Sequence, residues 1–227
     1  MASLPFTLSH LGALKTLRAD KNKLTEFGFN IGRLTNLTQL RLGYNSIKEV
    51  PETIGKAMAL RELGLECNRL EALPPAIGTL KLDLLKLDQN PIKRPPREVI
   101  VRGRDSIFLF LRRLQYSVMT WDLDLSHFGL KQVPFPDLKH AAAWEVNTWC
   151  RVKHLSLQNN KLVSLPVEIE LMSNLTILDL QSNKLVTLPP SIAAITSLQV
   201  LDAASNHVQA LPGQMKDNVQ LKELLLE

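Results

Sequence analysis

Apolar residues along this chain follow neither a continuous helical nor a continuous strand period. They recur instead in an eleven-residue phrase, Leu-x-x-Leu-x-Leu-x-x-Asn-x-Leu. The phrase is clearest over residues 37–47 and 60–70 and returns over 14–24, 82–92, 152–162, 175–185 and 198–208. The starts at 14, 37 and 60 are 23 apart, 82 comes one residue early, and 152, 175, 198 and 221 are again spaced by 23. A weaker copy over 120–130 keeps Leu123, Leu125 and Leu130 but carries Phe128 in place of the asparagine. A fixed period of this size marks an array in which each repeat buries its apolar face only against its neighbours. The Leu-x-Leu alternation predicts a short strand with its leucines inward, and stacking such strands predicts a parallel sheet along a concave side. The second half of most repeats reads Leu-Pro-x-x-Ile, as at Leu73-Pro74, Leu165-Pro166, Leu188-Pro189 and Leu211-Pro212. Proline fixes φ and donates to no ladder, so these segments predict the convex return. Ile31, Ile54, Ile77, Ile169, Ile192 and Met215 form one apolar column in it.

Seven asparagines, Asn22, Asn45, Asn68, Asn90, Asn160, Asn183 and Asn206, stand where the chain leaves the strand. A short side chain that donates and accepts can satisfy backbone groups of adjacent coils there, so the row reads as an internal ladder. Phrase and period together resemble the leucine-rich repeat, over nearly the whole chain. The resemblance implies an α/β fold, a leucine-rich repeat solenoid with a curved parallel sheet on its concave face and an irregular, 3-10 or helical convex side.

The pattern stops after Asn90, and residues 93–117 read as a helical insertion between a first repeat block, 1–92, and a second, 118–227, whose last repeat is truncated. Pro95 and Pro96 suit a helix start, residues 97–102 predict one short turn ended by Gly103, and Asp105 or Ser106 is expected to cap a second helix. Its Ile107, Phe110, Leu111 and Leu114 fall on one face, which is expected to lie on the end of the first block. A second excursion runs between Pro134 and Cys150 and contains Ala141, Ala142, Ala143, Trp144 and Trp149. It is expected to be helical with its tryptophans inward; an exposed aromatic patch is the alternative.

The stretch over 90–114, NPIKRPPREVIVRGRDSIFLFLRRL, is similar to a segment of the leucine-rich repeat-containing protein 40 family. That family resumes its repeats with a degenerate coil like Leu123-Asp124-Leu125-Ser126. The resemblance spans most of residues 60–190 and implies an intracellular, cytoplasmic repeat scaffold without assigned catalysis, carrying over no functional residue. The closing copy of the segment and the N-terminal portion found in the family are absent here, and both ends cut through repeats. The chain is therefore expected to be a fragment of a longer repeat protein, or to lie against something else.

Charge sharpens the picture of the insertion. Against 27 Lys plus Arg the chain has 22 Asp plus Glu, a net of +5. Lys93, Arg94, Arg97, Arg102, Arg104, Arg112 and Arg113 oppose only Glu98 and Asp105, so the whole excess lies in residues 93–113 and the remainder is balanced. This basic insertion gives an alternative function, contact with anionic lipid or nucleic acid. Nucleic acid on the sheet itself is not expected, because the strands carry no basic stripe of one sign.

Little in the sequence points to catalysis. Five histidines lack metal-ligand spacing, Gly55-Lys56 is not followed by Ser or Thr as a phosphate loop requires, and no Gly-x-Ser-x-Gly elbow exists. Cys67 and Cys150 have no adjacent histidine, and two distant cysteines make neither a disulfide framework nor a zinc site. No apolar run reaches membrane-spanning length. Asn36-Leu37-Thr38 and Asn174-Leu175-Thr176 match glycosylation sequons but are read as repeat consensus. No enzyme, cofactor or metal is expected.

What remains is a surface. The outward column between the strand leucines reads Arg18, Arg41, Gly64, Lys86, Asp124, Ser156, Asp179, Asp202, passing from basic to acidic. Its neighbour reads Lys21, Tyr44, Cys67, Gln89, His127, Asn159, Ser182, Ser205. An aromatic beside an arginine is what protein interfaces favour. The candidate concave site is Arg18, Arg41, Tyr44, Glu66, Lys86, Trp121, Asp124, His154, Asp179 and Asp202. The expected function is a monomeric, non-catalytic scaffold for a protein partner, with small GTPases, phosphatases or kinases implied by family analogy.

Overall fold

The computed structural model describes residues 3–27, 30–135 and 149–227. Two compact units divide the chain, Met1–Gln115 and Tyr116–Glu227. In the first, β1 (Thr16–Arg18), β2 (Gln39–Arg41), β3 (Glu62–Gly64) and β4 (Leu84–Lys86) pair in sequence order as a parallel sheet. In the second, β5 (Asp122–Asp124), β6 (His154–Ser156), β7 (Ile177–Asp179), β8 (Val200–Asp202) and β9 (Glu223–Leu225) do the same. Registers follow the repeat, so like positions stand opposite one another. Leu40 faces Leu63 in the first unit, and Leu178 faces Leu201 in the second. All four of these leucines are fully buried.

Each strand has only three residues, too few to hold alone. The chain leaves it through a residue in the left-handed region: Lys21, Tyr44, Cys67, Gln89, His127, Asn159, Ser182 and Ser205 have φ between 54° and 65°. None of these is β-branched, the side-chain class least able to adopt that backbone. The asparagine that follows then reaches into two coils. Asn68 accepts from the Ile47 amide at 2.9 Å and donates to the carbonyls of Leu42 and Leu65, both at 3.0 Å. Asn45, Asn90, Asn160, Asn183 and Asn206 repeat the arrangement, each accepting from the amide of Leu24, Leu70, Leu130, Leu162 or Leu185 at 2.9–3.0 Å. Among the described residues Asn22 bonds only within its own coil, to the carbonyls of Ala19 and Asp20.

The convex return of each unit is a row of 3-10 turns, including Glu52–Lys56 and Pro75–Thr79 in the first and Val167–Leu171, Pro190–Ala194 and Gly213–Asp217 in the second, each of these preceded by a proline with φ between −59° and −73°. Ile54, Ile77, Ile169 and Ile192 insert from these turns into the core and are fully buried, as is Ile31 from the turn Ile31–Arg33. Met215 is half-buried. A second row of bonds links the loops ahead of the strands. Asn36 donates to the Gly12 carbonyl and Asn174 to the Cys150 carbonyl, both at 2.8 Å, while Thr38 and Thr176 bond to Lys15 and Lys153. The sequon-like triplets therefore join each coil to the one before it.

After Asn90 come α1 (Arg97–Ile100) and α2 (Arg104–Thr120). Neither Asp105 nor Ser106 caps α2. The helix begins directly after Gly103, whose φ is +86° and whose carbonyl accepts from the Ile107 amide at 3.2 Å. It also runs to Thr120, into the first residue of the degenerate repeat. Ile107, Phe110 and Leu111 are buried and Leu114 is half-buried; Phe108 is buried as well, widening the expected face. The helix backbone lies directly on the last 3-10 turn of the first unit: a Cβ on Gly78 would stand 2.4 Å from the Arg112 nitrogen and 2.8 Å from the Leu111 carbonyl carbon. Over 136–148 the excursion that holds Trp144 lies outside the described residues. At its end Trp149 is buried, its ring centroid 4.5 Å from that of Phe135.

Three variants check these contacts by urea denaturation. Asn68→Ala strands the Ile47 amide and should cost about 1–3 kcal/mol, whereas Asn22→Ala should cost clearly less. Gly78→Ala drives a methyl into helix backbone that cannot rotate aside, and should cost about 1–3 kcal/mol and loosen α2.

Candidate functional site

Strand alternation places Thr16, Gln39, Glu62 and Leu84 in one outward column of the first sheet and Arg18, Arg41, Gly64 and Lys86 in the next. Arg18 donates to Gln39 Oε1 at 3.0 Å, Gln39 donates in turn to Glu62 Oε2, and Arg41 Nη2 meets the same Glu62 oxygen at 3.1 Å. These bonds form a chain across three strands. The hydrogen bond from Gln39 first, and that from Arg41 second, hold the Glu62 carboxyl below the ordinary carboxylate range.

Of the expected site residues, Arg41, Tyr44, Glu66 and Lys86 line a single cavity of about 220 Å³, whereas Arg18 is not part of its wall. Asp20, Lys21, Glu62, Gly64 and Leu84 complete it. The cavity exists because Gly64 interrupts a column of long side chains. Glu66 folds over the two glycines: a Cβ on Gly43 would lie 2.9 Å from its carboxyl carbon, and one on Gly64 would lie 3.2 Å from its Oε2. That Oε2 atom is buried and accepts no hydrogen bond among the described residues. At the rim Tyr44 is 53% exposed, with the Lys21 ammonium 6.0 Å from its ring centroid. Cys67 beside it raises the Tyr44 phenol above its ordinary value, through a hydrogen bond and charge, with smaller contributions from desolvation and Glu66.

The second sheet carries Trp121, Asp124, His154, Asp179 and Asp202. Trp121 stands one residue ahead of β5 at φ +61°, where its carbonyl accepts from the Lys153 amide at 2.8 Å; the Arg151 guanidinium lies 5.4 Å from its ring centroid. His154 Nδ1 is 2.7 Å from Asp122 Oδ1, in an exposed pair. Asp124, Asp179 and Asp202 each accept from the backbone amide two residues on, at 2.8–2.9 Å. Their recurrence as Leu-Asp in three repeats was a readable sign of this turn-forming role. A glycine at an outward strand position is likewise the sequence sign of the cavity, since such a residue marks a place where something else approaches the backbone.

The basic insertion is engaged with its own scaffold. Arg104 donates to the carbonyls of Leu82 at 3.1 Å and Asp83 at 2.7 Å. Arg112 donates to the Gly78 carbonyl at 3.2 Å, and Lys93 meets Glu71 at 2.8 Å. Arg94, Arg102 and Arg113 are also held by contacts, and Arg97 is exposed on α1. Among the described residues no three His, Cys, Asp or Glu side chains are grouped to hold a metal ion, and no helix is long and apolar enough to cross a membrane.

Residues 150–208 match the leucine rich repeat family model. The fold is a leucine-rich repeat solenoid. Similar solved structures include a leucine-rich repeat protein of Leptospira interrogans, 21% identical over 98% of this chain and 75% of its own, at a TM-score of 0.36. An internalin of Listeria monocytogenes is 19% identical over 95% of this chain and 68% of its own, at a TM-score of 0.38. The leucine-rich repeat ectodomain of the Arabidopsis thaliana membrane receptor kinase GASSHO1/SCHENGEN3, in complex with CASPARIAN STRIP INTEGRITY FACTOR 2, is 20% identical over 99% of this chain and 34% of its own, at a TM-score of 0.38. No curated protein sequence matches the chain significantly.

The depressed Glu62 carboxyl sets a sign for pH dependence. Ionised Glu62 adds stability above the ordinary carboxylate range, and this contribution fades as pH falls through the depressed value. Glu62→Gln should therefore lose stability at neutral pH and show a flatter acid limb in denaturation series. Gln39→Ala should move the Glu62 titration, followed by NMR, back up toward the ordinary range.

Proposed function

We propose that this leucine-rich repeat array is a non-catalytic interaction scaffold and that the outward face of its first sheet docks a protein partner. One observation carries the reading: an exposed tyrosine at a fixed left-handed turn stands at the rim of a charged cavity beside an arginine already held by Glu62. Interfaces draw most of their energy from such aromatic and arginine anchors, and pre-ordering them lowers the entropy lost on docking. The second sheet offers Asp124, Asp179 and Asp202, each with one carboxylate oxygen committed to its own turn. Mixed charge of this kind suits a folded protein rather than a polyanion.

The segment after Asn90, similar to that of the leucine-rich repeat-containing protein 40 family, supports an intracellular, cytoplasmic setting. Two free thiols, both half-exposed, are in keeping with a reducing compartment. By the same family analogy the partner is a small GTPase, phosphatase or kinase.

The test is affinity capture with wild type, Arg41→Glu and Asp179→Lys, followed by calorimetric titration with each purified captured protein. Arg41→Glu should weaken the true partner about tenfold or more, the loss of one anchor. If neither charge reversal changes affinity for any captured protein, the sheet-face assignment is wrong.

A further inference from the structure

We infer that the cavity at Gly64 is the seat for one arginine side chain of the partner, with its guanidinium bonded to Glu66 Oε2. The inference rests on the docking reading above and gives it a chemistry. Size comes first: about 220 Å³ lies below the 300–1,000 Å³ of sites for free small molecules and fits a single long side chain.

Charge decides the sign. The cavity is lined by three acids and three bases, but they do not compete equally. Arg41 and Glu62 neutralise each other at 3.1 Å, and the Lys21 ammonium sits by the Tyr44 ring at 6.0 Å. Asp20 gives one oxygen to the Gly43 amide at 2.9 Å. Glu66, in the wall of the cavity, is left with a buried oxygen that no donor meets among the described residues, 3.2 Å from where a Cβ on Gly64 would stand. A buried carboxylate oxygen without a donor is costly, and a cationic donor relieves it most. Lys86 is the one lining cation without a partner among the described residues, and it stands on the exposed edge strand β4.

The walls favour guanidinium over ammonium. Tyr44, 53% exposed, and Leu84, 37% exposed, are the apolar surfaces of the rim, suited to a methylene stem and to a flat cation laid on an aromatic face. A planar fork also matches a carboxylate in a way that a point charge does not.

The test uses the full chain labelled with ¹⁵N and three probes: acetyl-Gly-Arg-Gly-amide, its citrulline isostere and the glutamate analogue. Saturable shifts at the amides of Gly43, Gly64 and Glu66 are expected with the arginine peptide, at least tenfold weaker with citrulline and absent with glutamate. Glu66→Gln, of equal size, should weaken arginine binding at least tenfold. Gly64→Val, which fills the opening and suits a strand, should remove it while leaving the rest of the spectrum in place. Equal response to arginine and citrulline, preference for glutamate, or undiminished binding to Glu66→Gln each overturns the inference. A purified partner weakened by Arg41→Glu but not by Glu66→Gln also overturns it, and leaves the docking reading intact. Failure of Arg41→Glu with Glu66-dependent peptide binding preserved removes the docking reading, and with it the partner as the source of the arginine, while the arginine-binding cavity stands.

Discussion

No coil of this protein can close its own backbone hydrogen bonds. A three-residue strand leaves donors and acceptors on both edges, and the turn that follows leaves still more pointing inward, away from water. In six coils the asparagine after the left-handed residue resolves this by accepting from the coil before it while donating to two coils at once, as Asn68 does between Ile47, Leu42 and Leu65. Stability is thus shared between neighbours and cannot be assigned to any single repeat. The left-handed backbone at the preceding position is part of the same device, because it ends the strand at a fixed residue and so fixes which side chain follows.

The same constraint explains the insertion. In earlier coils the carbonyl one residue into each repeat accepts from the strand amides of the next coil: Lys15 from Thr38 and Gln39, Thr38 from Arg61 and Glu62, and Arg61 from Asp83 and Leu84. The equivalent carbonyl at Asp83 is met by Arg104, which also bonds that of Leu82. A guanidinium does the work of a missing strand, because its several donors can serve adjacent carbonyls at once. The basic surplus that stands out in the sequence is therefore, at Lys93, Arg104 and Arg112, spent on closing the array.

Once leucines, isoleucines and asparagines have met the demands of the interior, only the outward positions remain free to vary, and there the two sheets differ. In the second, the acids at the outward column hold their own turns. In the first, that column holds Arg18, Arg41, Gly64 and Lys86, and the turn amide of Gly43 is met by Asp20 from the neighbouring coil. The face of the first sheet is left with the cross-strand Arg41–Glu62 ion pair and a gap at Gly64, which is why its chemistry can be directed outward.

Period, strand positions, inward leucines, the convex isoleucines and the proline-led returns were all legible in the sequence, since each is a local requirement repeated until chance is excluded. Helix α2 was legible as an amphipathic segment but not in its bounds, because Gly103 and the close approach at Gly78 are set by packing that periodicity does not record. Tertiary structure alone decided that Glu66 turns back over Gly43 and Gly64, that Arg41 is tied to Glu62, and that Arg104 takes up strand carbonyls. Those outcomes depend on which long side chains from different coils reach one another. A repeat fixes the spacing of its coils, but the meeting of flexible side chains across that spacing is settled only when the coils are stacked.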